Sequence, residues 1–225
     1  FKRSYDSGHY LFLCEGGGKT VRLADPEGGV IVELRGDGSQ TMVPLSTHAD
    51  GQQLSMKDWH PEASHHQYDS LYRLVHQVGA LALLMHGWHV GSRHQLSLSF
   101  AGLCQSLSIS YDDAYEMVQL LCHVTHDDEE NARLNNVKLT YQRPTATNMG
   151  FTGLCEVLGK ACADKVSDWP CKAYGISPAE TQVSVASHDV ISLETISRPE
   201  HVNEANLAAA YASQLQDKAR YCFED

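Results

Sequence analysis

Three things are scarce in this chain. No stretch is apolar for long enough to span a bilayer, and no charged-then-apolar leader opens it at Phe1, so nothing argues for a membrane or for secretion. Cysteine is present but unpatterned: seven residues, an odd number without paired spacing, favour reduced thiols in an intracellular protein over a disulfide framework. Cys162 and Cys171, with scattered histidines, make no zinc pattern and read as packing residues. Cations are outnumbered too, 17 Lys and Arg against 28 Asp and Glu, for a net charge of −11. Global acidity repels DNA, so any nucleic-acid binding must rest on local basic strips. With 225 residues and 42% hydrophobic content, the chain can bury a real core as one domain or two small ones.

Gly16-Gly-Gly-Lys-Thr20 ends like a phosphate-binding loop. That loop needs a glycine where this chain has Leu13, and a helix behind it to aim free N–H groups at phosphate. The chain instead continues into Val21-Arg-Leu and then Asp25-Pro-Glu-Gly-Gly29, which reads as a connection between strands.

A strand is expected over Val30, Ile31, Val32 and Leu34, side chains that want burial, yet Glu33 sits among them. A buried carboxylate needs a cation, a metal or donors to offset its desolvation. Glu33, just ahead of the turn Arg35-Gly-Asp-Gly38, is therefore a candidate metal or catalytic ligand. The alternative is that it points to solvent on an edge strand, or pairs with Arg35 two residues along the same face. A further strand is expected over His9–Cys14, introduced by Ser4-Tyr-Asp-Ser-Gly-His9.

Together these segments resemble motifs II and III of the prim-pol branch of the archaeo-eukaryotic primase superfamily, found in phage and plasmid replication proteins. Ser7-Gly8-His9 matches its Ser-x-His at a strand start, and Val32-Glu33 its hydrophobic-acid step. The Arg-Gly-Asp-Gly turn comes next, then a Pro-x-Ser-x-His segment at Pro44, Ser46 and His48. The resemblance implies two-metal nucleotidyl transfer with Mg2+ or Mn2+, in which Glu33 is a metal carboxylate and catalytic together with His9. It also implies that Ser7 and His9 hold the incoming NTP or dNTP, with Arg35, Ser46 and His48 as further nucleotide-binding candidates. The family's first carboxylate pair would lie before Phe1, so these residues alone are expected to be inactive.

After Trp59-His-Pro61 the apolar period changes from two to nearly four. Leu71, Leu74, Val75, Val78, Leu81, Ala82 and Met85 predict a helix ending at Gly87. A second is expected from about Ser92, carrying Leu96, Phe100, Leu103 and Leu107. A third has Ser110 as N-cap with Asp112 and Asp113 in its first turn. A fourth runs from about Asp127 to Gln142, and a shorter one is capped by Thr152 and closed by Gly159.

This block also resembles the small helical domain that follows the catalytic sheet in prim-pol proteins, over roughly residues 68–160. The matching positions are Gly91, Arg93 and His94, then Ala101-Gly102, then Asp128, Glu129 and Arg133, then Thr140-Tyr141 and Gly153-Leu154. The family links the domain to template recognition, which makes Arg93, His94 and Arg133 nucleic-acid candidates. Read from the residues alone, Arg133 pairs equally well with acids of its own helix, and His94 is equally well satisfied at a helix start. Residues 161–198, with Pro170, Gly175 and Pro178 among many Ser and Thr, are expected to be linker. From Asn203 a helix is expected to resume, resembling the start of the region before a superfamily 3 helicase.

The expected fold class is α+β: a partial primase-polymerase sheet (1–60), a helical bundle (61–160), a linker (161–200) and a further helical region (201–225). The expected function is that of part of a replicative DNA primase-polymerase of a phage or plasmid, a DNA-directed nucleotidyltransferase. It would act on single-stranded DNA template in the cytoplasm of a bacterial or archaeal host, with a superfamily 3 helicase domain in the same parent chain. The alternatives are a non-catalytic DNA-binding or protein-docking helical module, and an acidic interaction protein that binds no nucleic acid.

Overall fold

His76 to Met85 are buried without a break, which a helix achieves only when neighbours cover it on every side. They belong to α1 (Tyr68–Gly87), the central element of a computed structural model that describes residues 8–42, 46, 47, 49, 51, 53, 55–58, 64–176 and 222–224. Around it stand α2 (Arg93–Ser106), α3 (Tyr111–Thr125), α4 (Glu130–Tyr141), α5 (Gly150–Leu158) and α6 (Lys160–Ala173). The chain is α+β, as expected.

The helix boundaries follow their local chemistry. Ser110 Oγ accepts the Asp113 N–H, capping α3 in a sequence that also puts Asp112 and Asp113 at the positive end of the helix dipole. Gly159, at φ 77°, closes α5 and opens α6. The short helix begins at Gly150, two residues before the expected Thr152 cap. Phe100, Leu81, Leu84, Leu96, Met117 and Leu121 fill the core, each essentially free of solvent.

The expected linker is corrected in its first part. Residues 160–173 form α6, and Ala163, Val166, Trp169 and Cys171 are buried at near-helical spacing. Pro170 was the misleading signal. It lies well inside the helix, where it withholds one N–H, but two i,i+4 pairs, Lys160–Asp164 and Lys172–Asp168, and the buried face keep the helix intact. Residues 177–221, with the helix expected from Asn203, lie outside the described residues.

The strands do not form one sheet. β1 (Gly8–Tyr10) and β5 (Ser55–Asp58) both pair antiparallel with β7 (Cys222–Glu224), which falls in a stretch expected to be helical. β2 (Leu13–Glu15) pairs parallel with β6 (His65–Gln67). β3 (Val21–Ala24) and β4 (Val30–Leu34) make a hairpin whose turn is fixed by Asp25 Oδ1, which accepts both the Glu27 and Gly29 N–H groups at 2.8 Å. The single strand expected over His9–Cys14 is thus two short ones in different sheets.

This hairpin is not separate from the bundle. Leu23 is buried against α1, where a Cβ added to Gly79 would lie 2.7 Å from Leu23 Cδ1 and 2.9 Å from Trp169 Cε3. Glycine at that position lets hairpin and α6 approach α1 together.

Candidate functional site

Alternation decides where Glu33 goes. Leu23 and Val32 face each other on the side packed against the helices, so their neighbours Arg22 and Glu33 oppose each other on the outer side. The Glu33 side chain is 31% exposed, and its Oε1 lies 3.4 Å from Arg35 Nε. Glu33 is therefore not a buried carboxylate: it faces outward from the hairpin and pairs with Arg35. Arg35 also donates from Nη1 to Gln40 O at 3.0 Å and Thr41 Oγ1 at 2.8 Å, tying strand end to turn.

The Gly-rich segments on either side of the hairpin are used for close approach. A Cβ on Gly36 would stand 2.1 Å from Gly18 O, and one on Gly18 would enter the Tyr68 ring. The Asp37 N–H donates to Gly18 O at 2.8 Å, the Gly36 N–H to Thr20 Oγ1 at 3.1 Å, and the Tyr68 hydroxyl to Lys19 O. Strand β3, not a helix, comes after Thr20, as expected for a segment that is no phosphate-binding loop.

Of the other candidates of this region, Arg35 is the one shown in contact with Glu33. His9 stands on β1 opposite Phe223, in a different sheet from Glu33, which corrects the expectation of one shared catalytic sheet. Ser46 is half-buried. Ser7, Pro44 and His48 lie outside the described residues. No group of three His, Cys, Asp or Glu able to hold a metal ion occurs among the described residues. With Arg35 already on its carboxylate, Glu33 alone does not fit a two-metal centre, which needs several carboxylate oxygens.

The bundle candidates converge, but on a carboxylate. His126 ends α3 in the left-handed conformation at φ 52°, and the Asp127 N–H next to it returns to Cys122 O at 2.9 Å, which turns the Asp127 side chain inward. That side chain has no exposed surface. Its Oδ1 accepts the Glu129 N–H at 3.0 Å and Arg93 Nη1 at 3.3 Å, while Oδ2 accepts Trp88 Nε1 at 3.0 Å and Arg133 Nε at 3.2 Å. Arg133 further pairs with Glu129, and Arg93 Nη1 with Asp128 at 3.1 Å. Burial pushes the Asp127 carboxyl up, but the Glu129 N–H and the two guanidiniums outweigh it and hold the group below its ordinary value.

Arg133 and Arg93 are 6% and 15% exposed, so both are interior side chains. Both are thus held by Asp127 instead of standing open on the surface, although the buried Arg93 Nε has no partner of its own. His94 stands apart from that cluster. Asn136 Nδ2 lies 3.1 Å from His94 Nδ1 and donates to Ser97 Oγ at 2.7 Å, so His94, exposed at the start of α2, is tied to α4.

No family model, no curated protein and no solved structure matches the chain. Among the described residues, no helix is long and apolar enough to cross a membrane.

Asp127 and Trp88 are the two members of the cluster that sequence reasoning did not single out. A weak signal existed for each. Asp127 opens the acidic run before Arg133, and a Trp directly after a helix-ending glycine needs a partner for its N–H once buried.

Proposed function

We propose that the chain is part of a phage- or plasmid-type DNA primase-polymerase, acting in replication inside a bacterial or archaeal host cell. The observation that carries this reading is the order of short motifs. Ser7-Gly8-His9, Val32-Glu33, the Arg35–Gly38 turn and Pro44, Ser46 and His48 succeed one another and lead into a helical domain with Gly91, Arg93, His94 and Arg133 in the family's order. Within this reading, Ser7 and His9 hold the nucleotide triphosphate and Glu33 contributes a carboxylate. A helicase domain of superfamily 3 belongs to the same parent chain.

A primer-synthesis assay on the natural full-length protein tests it, with single-stranded template and magnesium or manganese. Glu33→Gln is expected to abolish synthesis while leaving the fold intact. Its ion pair with Arg35 is partly exposed and worth at most about 1 kcal/mol, and Arg35 keeps its Gln40 and Thr41 partners. Unchanged synthesis by Glu33→Gln removes Glu33 from the chemistry, and no synthesis by the wild type overturns the reading.

One observation favours a second reading for the bundle, a docking module without catalytic or template contact. Arg93 and Arg133, its candidate phosphate ligands, are interior side chains paired with Asp127.

A further inference from the structure

Helix α6 is held to α1 in two different ways along its length. Up to Trp169 the contact is apolar: Ala163, Val166 and Trp169 are buried, and Trp169 closes on Gly79. After Trp169, the buried Cys171 apart, it is polar and converges on one turn of α1, Arg73 to Gln77. Gln77 Nε2 donates to the Tyr174 hydroxyl at 2.8 Å. The Arg73 guanidinium lies 4.1 Å from the centre of the Tyr174 ring while pairing with Asp113 of α3 at 2.7 Å. Pro170 separates the two lengths. It has no N–H to give the Val166 carbonyl, so the helical ladder is one bond short there, and such a gap is where helices bend.

His76 belongs to that turn of α1, 2% exposed and flanked by the Tyr72 ring at 4.3 Å. Its Nδ1 stands 2.8 Å from the Tyr72 carbonyl, which only accepts, so the neutral imidazole carries its proton there and Nε2 is the atom left to take another. Two charged groups of α6 act on it. Lys172 opposes a second proton, and Asp168 favours one but is already bound to Lys172 at 2.6 Å. Burial outweighs the Tyr72 bond and holds the imidazole pKa below its ordinary value. A proton on Nε2 therefore places a cation where water is excluded and Asp168 is shared with a lysine.

We propose that the end of α6 is a proton-released latch, closed on the Arg73–Gln77 turn while His76 is neutral and lifting about Pro170 when the imidazole is charged. The open state lets His76 reach water and binds the proton first. The latch is thus fully closed above the ordinary histidine value of about 6.5 and opens as pH falls below it. The first length of α6 stays in place, because its contact with α1 is the buried apolar face. None of this rests on the primase reading.

Residue-level amide exchange of the full chain, corrected for the intrinsic effect of pH on exchange, tests the latch at about pH 7.5 and about pH 5.5, one unit either side of the ordinary value. Protection of Lys172 to Ile176 should fall about three- to tenfold at the lower pH, ten being the ceiling for one proton taken up over one unit. Ala163 to Trp169 should change less than about twofold. His76→Phe keeps a ring in the site and should abolish the fall. Should that variant fold poorly, Lys172→Met supplies the check: it removes the opposing cation, leaves Asp168 to the imidazolium, and should shrink the fall to within about twofold. Pro170→Ala restores the missing N–H and should make both lengths of α6 exchange together. Four results overturn the inference: protection of Lys172 to Ile176 that ignores pH, an equal fall in His76→Phe, a fall shared by all of α6 in the wild type, or a Pro170→Ala chain whose helix end still opens alone.

Discussion

The two ends of the helical bundle face the same task, tying together helix termini that short turns bring side by side, and meet it with opposite chemistry. At one end a buried carboxylate collects two guanidiniums and an indole N–H. At the other, rings meet edge-on, a tyrosine hydroxyl reaches a carbonyl, and the ion pair Arg73–Asp113 stays partly in water. An ionic knot concentrates stability in one residue, because removing a partner strands buried charge. Ring contacts spread it.

The largest expected effect breaks that contrast directly. Asp127→Asn removes the one fully buried carboxylate of the knot, leaving Arg133 only Glu129 and Arg93 only the exposed Asp128, and should cost about 3–5 kcal/mol of unfolding free energy. Its counterpart Tyr141→Phe loses one hydrogen bond to the loop before α3, worth about 1 kcal/mol. Chemical denaturation of both variants measures the difference, and equal losses would show that the ends are not energetically distinct.

Acid should open the two ends in sequence. His76, buried toward the tyrosine end with Nδ1–H donating to Tyr72 O at 2.8 Å, has its pKa lowered chiefly by burial. The unfolded chain then binds the proton first, so the stability His76 contributes is complete above its ordinary value of about 6.5 and lost as pH falls below it. Asp127 runs on the lowered-carboxylate sign: its contribution is complete above the ordinary carboxylate range near 4 and lost as pH falls through the depressed folded value. Melting temperature against pH should show a mild-acid decline that His76→Phe removes and a separate strong-acid decline that Asp127→Asn removes.

The smallest expected effect asks whether backbone strain distinguishes the ends. Each has one non-glycine residue in the left-handed region, His126 at φ 52° and Ser108 at φ 57°. Glycine at either position relieves that conformation and should add about 0.5–1 kcal/mol. Similar gains in thermal melts would place the contrast between the ends wholly in their side chains.

The same division marks what could be read from sequence. Helix limits set by local chemistry were legible: Gly87 after the apolar stripe, Ser92 before α2, Ser110 three residues ahead of Asp113. What depends on residues distant in the chain was not. Asp127 meets Arg93 and Trp88 across 34 and 39 positions, and no local pattern announces such a meeting. Helix α6 hid behind Pro170, since proline marks a helix end in isolation but a packed face can carry one. At Glu33 the apolar neighbours suggested burial. The alternation of a hairpin covered on one side only, with Arg22 opposite and Arg35 two residues on, makes it a surface carboxylate.

Helix α1 carries a consequence for the order in which the protein is made. Gly79 touches Leu23 of the hairpin, which leaves the ribosome before it, and Trp169 of α6, which leaves long after. The longest apolar helix must therefore wait, with the side of α1 that α6 covers open to water, until nearly a hundred further residues have been synthesised. Until then that side of α1 is apolar surface of the kind that makes incompletely folded chains prone to aggregate.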